Sequence, residues 1–147
     1  MKAKEIQQDN EKSFVLVFSP GEEVVSQLLE FARKQHLNAS RFTGIGGFSQ
    51  VTLGYFELAK KNYKHIEVSE QVEVLSLVGN IAISEDGGRQ PKLHAHVVVG
   101  RSDGTAHGGH LLHAIVRPTL EIMLIESPKH LTRYSDPQTG LALLRIE

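Results

Sequence analysis

Apolar residues occur in short runs along most of the chain, and this pattern is typical of β-strands. The run SFVLVF at 13–18, bounded by polar residues and by Pro20 and Gly21, predicts a largely buried strand. Similar runs predict strands near residues 51–58, 63–68, 73–83, 93–97, 119–125 and 141–146. Residues 22–37 differ, because their apolar positions recur every three or four residues and therefore predict a helix.

The charges of the predicted helix match its dipole. Glu22 and Glu23 would lie in the first turn, and Arg33, Lys34 and His36 in the last. Asn38 is expected to end the helix, because asparagine tolerates the left-handed backbone that often follows the last turn.

One helix among many strands joined by short turns predicts an α+β domain. We expect a mostly antiparallel β-sheet with this one main helix packed on it. A chain of 147 residues is long enough for one domain with its own core. We place that domain at residues 13–147, after a short polar N-terminal extension at residues 1–12. The run 73–83 contains Gly79-Asn80, which predicts an interruption in the middle of its strand.

The composition narrows the classes of protein and of partner. The chain has no cysteine, which excludes disulfides and thiolate metal ligands. Its first residues lack the apolar core of a signal peptide, and no run approaches the roughly 18 apolar residues of a membrane helix. We therefore expect a cytoplasmic protein without a membrane partner. The net charge of −1 lacks the basic surplus that a self-sufficient DNA-binding protein usually shows.

The glycine-rich segment GIGG at residues 44–47 has two interpretations. Glycines at this density suggest a phosphate-binding loop, but the spacing fits neither the dinucleotide fingerprint nor the Walker motif. A strand with a bulge, at which another backbone approaches closely, explains the segment better.

A histidine-rich stretch at residues 91–121 is the most informative part of the sequence. His94 and His96 are separated by one residue in a strand-like run, so their side chains should lie on one face. A third imidazole would have to come from His107, His110 or His113. We favour His110, because Gly108 and Gly109 before it would let its backbone come close. His107 is the reserve, and the remaining histidines are expected to be structural or exposed.

Three neutral imidazoles suit zinc or another first-row divalent metal and leave one coordination position open. An open position permits hydrolysis, because the metal lowers the pKa of bound water. Glu121 is a candidate general base, although an exposed or ion-paired strand glutamate is the simpler interpretation. Two histidines on one strand, each bonded to a backbone carbonyl, would explain the pair without any metal.

Several motifs resemble those of the plant and prokaryote conserved (PPC) domain family. They are GIGGF at 44–48, VTLGYF at 51–56, HAHV at 94–97, GGHL at 108–111 and TLEI at 119–122. They occur in the family's order, and the resemblance extends over nearly the whole chain, roughly residues 13–146. The resemblance implies an α+β fold with an antiparallel sheet, a homotrimer, and a metal held by the three histidines in some prokaryotic members. In plants the domain follows an AT-hook, an Arg-Gly-Arg-Pro segment that binds the minor groove, and the sequence contains no such segment.

These observations lead to two principal hypotheses. The first is a stand-alone prokaryotic PPC-domain protein of the DNA-binding and regulatory type. It would act as a homotrimeric module that binds a protein or small-molecule partner and holds a metal at His94, His96 and His110. DNA is a candidate partner that neither the net charge nor an AT-hook supports. The alternative is a zinc-dependent ester hydrolase, and we lean towards a protein without enzymatic activity. A small-molecule binder without metal is a third hypothesis.

Overall fold

The computed structural model describes residues 1–7, 11–86 and 88–145. The described part contains one α-helix and nine strands. In chain order they are β1 (Lys2–Gln7), β2 (Lys12–Phe18), α1 (Val24–Gln35), β3 (Ala39–Glu57), β4 (Asn62–Val68), β5 (Val72–Ser84), β6 (Gln90–Gly100), β7 (Ala106–Glu126), β8 (Thr132–Ser135) and β9 (Ala142–Arg145). A single 3-10 turn, Leu58–Lys60, connects β3 to β4.

All nine strands belong to one sheet. Its main path is β1-β2-β7-β3-β5-β8-β9, with β4 added beside β3. Strand β6 pairs with both β5 and β7, so β3, β5, β6 and β7 form a closed ring. Each of these four strands pairs with two other members of the ring. Strands β5 and β8 run parallel, whereas the other pairings in the described part are antiparallel. The predicted α+β class is confirmed, and the sheet is mixed.

The helix is shorter than its apolar pattern predicted. It begins after Glu23, whose carboxylate accepts hydrogen bonds from the backbone N–H groups of Val25 (3.1 Å) and Ser26 (2.6 Å). Glu23 is therefore the N-cap residue and does not lie in the first turn. The helix ends at His36, which has a φ of 55°, so the prediction that Asn38 ends it was wrong by two residues.

The helix contributes its apolar face to the hydrophobic core. Val24, Leu28, Phe31 and Ala32 are buried, and the ring of Phe31 meets that of Phe14 edge to face at 5.3 Å. The helix lies against β6 and β7, the strands that carry the clustered histidines. No helix in the described ranges is long and apolar enough to cross a membrane.

Several predicted strands turn out to be parts of longer ones. Strand β3 continues through the glycine-rich segment, and β7 unites the glycine–histidine return with the predicted strand at 119–125. Strand β5 runs unbroken through Gly79, so the predicted interruption was wrong. A Cβ at Gly79 would lie 2.4 Å from Cζ of Phe42, and glycine is therefore needed for close packing within a continuous strand.

The two ends of the chain add two short strands, β1 and β8, to those that the sequence predicted. Part of the expected polar extension at residues 1–12 forms β1, which pairs with β2. Strand β8 lies in what the sequence indicated was a polar loop. The predicted last strand at 141–146 is present as β9, and residue 146 lies outside the described residues.

The predicted bulge in the glycine-rich segment is confirmed. The register between β3 and β5 shifts between Gly44 and Gly46. A Cβ at Gly46 would lie 2.3 Å from the backbone oxygen of Thr119 and 2.7 Å from Cα of Leu120. The backbones of β3 and β7 therefore approach too closely for any other residue at this position.

We expect Gly46→Ala to lower the free energy of unfolding by roughly 1–3 kcal/mol, because the added methyl group would overlap backbone atoms that cannot move independently. Gly108→Ala is the matched control, since its Cβ would meet its nearest neighbours at 3.3 Å. This contact is tight, but a shift of a few tenths of an ångström relieves it, so the loss should be clearly smaller than that of Gly46→Ala. Urea unfolding measures both changes, and equal losses for the two variants would contradict the assignment of Gly46 as a close-approach site.

Candidate metal centre

The three histidines favoured by the sequence come from two neighbouring strands. His94 and His96 are two residues apart on β6 and therefore share a face. His96 pairs directly with His110 on β7. Directly opposed residues of antiparallel strands have Cβ atoms about 4.5–5.5 Å apart, so the register alone brings His110 beside the pair. We call His94, His96 and His110 the histidine triad.

The triad is a compact cluster of ligand atoms. One ring nitrogen from each histidine lies within 4.8 Å of the others. The ring centres are 5.1 Å apart for His94 and His96, 5.2 Å for His94 and His110, and 5.5 Å for His96 and His110. Two nitrogens bound to one zinc ion through bonds of about 2.0–2.1 Å can be at most about 4 Å apart. Small side-chain rotations would therefore bring the three nitrogens to one ion.

The surroundings of His94 and His110 keep their imidazoles neutral. Burial lowers the pKa of His110 to about 4, with smaller contributions from the charges of His94 and His96. Burial also lowers the pKa of His94, assisted by the charges of Arg133 and His96. At neutral pH each of these two imidazoles therefore has one ring nitrogen without a proton, and its lone pair can bind a metal.

His110 is held by an aromatic neighbour and by glycines. The ring of Tyr63 lies 4.8 Å from the His110 ring. A side chain at Gly54 would displace Tyr63, because its Cβ would lie 2.7 Å from Cδ1 of that ring. A Cβ at Gly109 would lie 2.8 Å from the backbone oxygen of Gly54. The expected close approach of the returning backbone is thus present at Gly109.

One nitrogen of the triad lacks a partner. Nδ1 of His110 is buried and has no hydrogen-bond partner in the described part of the chain. Buried polar atoms of proteins are nearly always paired, so an unpaired one calls for an explanation such as a bound ion or water. Together with the neutral nitrogen donors, this orphaned atom fits a first-row divalent ion and leaves a coordination position open.

The two accessory candidates lie apart from the triad. His107 pairs with the fully buried Val99, three residues from His96, and therefore belongs to the opposite face of the sheet. Glu121 pairs with Ile45 and lines a cavity that contains none of the triad histidines. Neither residue joins the cluster of ligand atoms.

The remaining histidines also lie outside the cluster. His113 pairs with Thr52 on β3. Three others are exposed, as expected: His36, His65 and His130.

Sequence reasoning missed a cationic residue beside the triad. Arg133 of β8 lines the same cavity of about 460 Å³ as His94 and His110. One of its terminal nitrogens donates a hydrogen bond to Oδ1 of Asn80. The only signal in the sequence was the short segment TRYS between prolines, which is too short for alternation to be recognised.

The fold and the cluster define a class: an α+β domain with a three-imidazole site on two adjacent strands. The family model of the Plants and Prokaryotes Conserved (PCC) domain matches residues 6–128. The chain therefore belongs to this family, the PPC family that the motifs indicated. None of the curated proteins matches the chain.

Solved structures support the same assignment. A plant- and prokaryote-conserved (PPC) protein from Pyrococcus horikoshii is 31% identical, with a TM-score of 0.84 and 92% of both chains covered. A "Putative DNA-binding protein" from Ralstonia eutropha JMP134 is 30% identical, with a TM-score of 0.83 and 91% of both chains covered. A metal-containing protein from Archaeoglobus fulgidus is 33% identical, with a TM-score of 0.83, covering 97% of this chain and 99% of that one.

The lowered histidine pKa values predict a pH dependence of stability in the metal-free protein. The unfolded chain takes up a proton at His110 near the ordinary pKa of about 6.5, whereas the folded chain resists it down to about 4. The contribution of neutral His110 to the free energy of unfolding is therefore fully present above about pH 6.5, and it is lost as the pH is lowered towards 4. His110→Asn should flatten this decline, measured by urea unfolding in the presence of a chelator.

His130→Asn is the control for this measurement, because His130 is an exposed residue outside the triad. It should leave the slope of stability against pH unchanged. An unchanged slope in His110→Asn as well would show that other groups cause the acid sensitivity.

Proposed function

We propose that this PPC-domain protein acts as a homotrimeric module that holds a divalent metal at the histidine triad and binds a small ligand or a protein partner. The observation that carries the proposal is the convergence of His94, His96 and His110 on one face of the sheet. Zinc is the first candidate, and another first-row divalent ion would suit the same nitrogen donors. The metal would supply an open coordination position for an oxygen or nitrogen atom of the ligand.

The similarity to the metal-containing protein from Archaeoglobus supports the metal part of the proposal. That protein is called metal-containing and shares 33% of its residues with this chain. Because the comparison covers 97% of this chain, the likeness extends over the whole sheet around the triad.

An exposed apolar surface supports the assembly part. Ile45, Leu75, Val78 and Met123, which we call the Ile45 face, are 48–62% exposed and line one shallow cavity of about 470 Å³. Contiguous apolar side chains on an exposed sheet face commonly mark a protein–protein contact. The family resemblance implies a homotrimer, so two further copies of this chain are the proposed occupants.

The ester-hydrolase alternative is not favoured. Hydrolysis needs a general base within reach of the metal-bound water. Glu121, the candidate base, lines a different cavity from the triad. No aspartate or glutamate of the described residues lines the cavity beside His94 and His110.

DNA is a candidate partner because the chain is similar to the "Putative DNA-binding protein" from Ralstonia. The net charge of −1 gives little support, because duplex DNA is bound largely through neutralised phosphates. Retention of a duplex that weakens steeply with rising salt would add DNA to the partners. Absence of retention even at low salt would remove it.

Metal binding should depend on the triad alone. Tag-free protein should contain about one zinc or other first-row ion per chain by elemental analysis, and His94→Ala and His110→Ala should both lose it. His107→Ala is the matched control, because His107 lies on the same strand as His110 but on the opposite face. It should retain the ion.

Thermal unfolding provides a second measure of the same prediction. Added zinc at about 100 times its Kd should stabilise the wild type by roughly 2.7 kcal/mol and leave the His110→Ala variant unaffected. A wild-type protein that contains no metal and is not stabilised by zinc would contradict the proposal.

Assembly should depend on the Ile45 face. Sedimentation should give three times the chain mass for the wild type, whereas Ile45→Lys should sediment as a smaller species, because a trimer would bury its ammonium groups. Glu121 pairs directly with position 45, so the lysine would gain an opposite charge within its own chain and the fold should persist.

Leu58→Lys is the control for assembly. Leu58 is 63% exposed in the turn after β3, outside the Ile45 face, and its replacement should leave the trimer intact. A monomeric wild type, or a trimeric Ile45→Lys variant, would refute this part of the proposal.

A further inference from the structure

A buried arginine lies beside the histidine triad without a counter-charge. Arg133 is only 3% exposed. Its Nη1 donates a hydrogen bond to the backbone oxygen of Ala142 (2.7 Å), and its Nη2 donates one to Oδ1 of Asn80. Nε is buried and has no partner. Among the ion pairs of the described residues, none involves Arg133.

The sheet places this cation next to the metal centre. Strand β8 runs parallel to the end of β5, where Arg133 is in register with Ser84. Asn80, which accepts the arginine's hydrogen bond, pairs directly with His94 across β5 and β6. The charge of Arg133 contributes to the lowered pKa of His94, as expected for neighbouring cationic groups. The guanidinium, His94 and His110 therefore face a common space.

That space is a cavity of about 460 Å³ with a distinctive lining. Its charged residues are both cationic, Arg133 and Lys92, and no carboxylate of the described residues reaches it. Much of the remaining wall is apolar: Leu93, Leu141, Ala142, Leu143 and Leu144. The volume is in the range of small-molecule sites, about 300–1,000 Å³.

We propose that this cavity binds a small organic carboxylate, with the carboxylate between the Arg133 guanidinium and the histidine triad and the hydrocarbon part against the leucines of β9 and the segment before it. A buried cation without a counter-charge costs several kcal/mol, and a bound anion offsets this cost. A guanidinium also matches a carboxylate through two parallel hydrogen bonds. The contribution of a bound metal to carboxylate binding rests on the proposed function, whereas the contribution of Arg133 does not.

The competing explanation is purely structural. Arg133 connects β5 to β9 through Asn80 and Ala142, and it could serve only to fix the β8–β9 hairpin to the sheet. This role would use the two terminal nitrogens but leaves both the positive charge and Nε unmatched. It also predicts that the cavity does not discriminate between a carboxylate and a neutral molecule of the same shape.

The test is a titration of the whole protein with hexanoate and with hexanamide, its neutral analogue, followed by calorimetry or NMR. We expect hexanoate to bind with a Kd of about 1 mM or tighter and hexanamide to bind at least about tenfold more weakly. Equal binding of the two compounds, or no binding of either, would overturn the proposal.

Variants of the cavity wall keep the test independent of folding. Arg133→Met should abolish the preference for hexanoate, but it could also loosen the hairpin. Leu144 lines the cavity and pairs directly with Arg133, so Leu144→Glu leaves Arg133 in place, puts a carboxylate on the same face of the hairpin and should weaken hexanoate binding about tenfold or more. Leu144→Gln, of nearly the same shape without the charge, should retain most of the affinity, and equal losses in Leu144→Glu and Leu144→Gln would count against recognition of an anion.

Titrations with and without chelator separate this inference from the proposed metal function. Hexanoate should bind the metal-free protein through Arg133 and bind the zinc-loaded protein more tightly. A protein that binds hexanoate but never zinc would retain the carboxylate site and refute the metal centre. A protein that binds zinc but not hexanoate would retain the metal centre and refute the carboxylate site.

Discussion

The hydrogen bonding of β6 on both of its edges is the constraint on which the site depends. One edge pairs with β5 and places His94 opposite Asn80, while the other pairs with β7 and places His96 opposite His110. A shift of one residue in either register would turn an imidazole to the other face of the sheet. The close approach at Gly109 and the ring of Tyr63 then fix the position of His110 within this frame.

The same cross-strand rows connect the triad with the proposed assembly surface. His96 pairs with Val78, which is a member of the Ile45 face, and the row continues through Thr43 to Met123. Paired residues of a sheet lie on one face, so the most exposed histidine of the triad borders the apolar surface. Assembly on that surface would therefore change the solvent access of the site.

Sequence patterns predicted the parts of this arrangement that local geometry determines. The spacing of His94 and His96 specifies a shared face in any strand, and glycines before His110 indicated a close return. The choice of His110 over His107 depended on a register between distant segments, which the sequence suggested but could not specify. The position of Arg133 could not be predicted from the sequence, because it depends on the two-residue parallel pairing of β8 with β5. The helix boundaries were missed for a local reason: the Glu23 side chain caps the helix instead of lying within it.

The β8–β9 hairpin is joined to the rest of the sheet by a short stretch of strand pairing. Its register with β5 comprises only two residue pairs, Ile83 with Thr132 and Ser84 with Arg133, whereas the triad is held by the long strands of the closed ring. The hairpin also lies beyond residues 6–128, which match the family model. The imidazoles thus lie on the long strands of the closed ring, whereas the hairpin that faces them is joined to the sheet by two residue pairs. Substitutions in the hairpin would therefore change the lining of the cavity while the imidazole geometry stays the same.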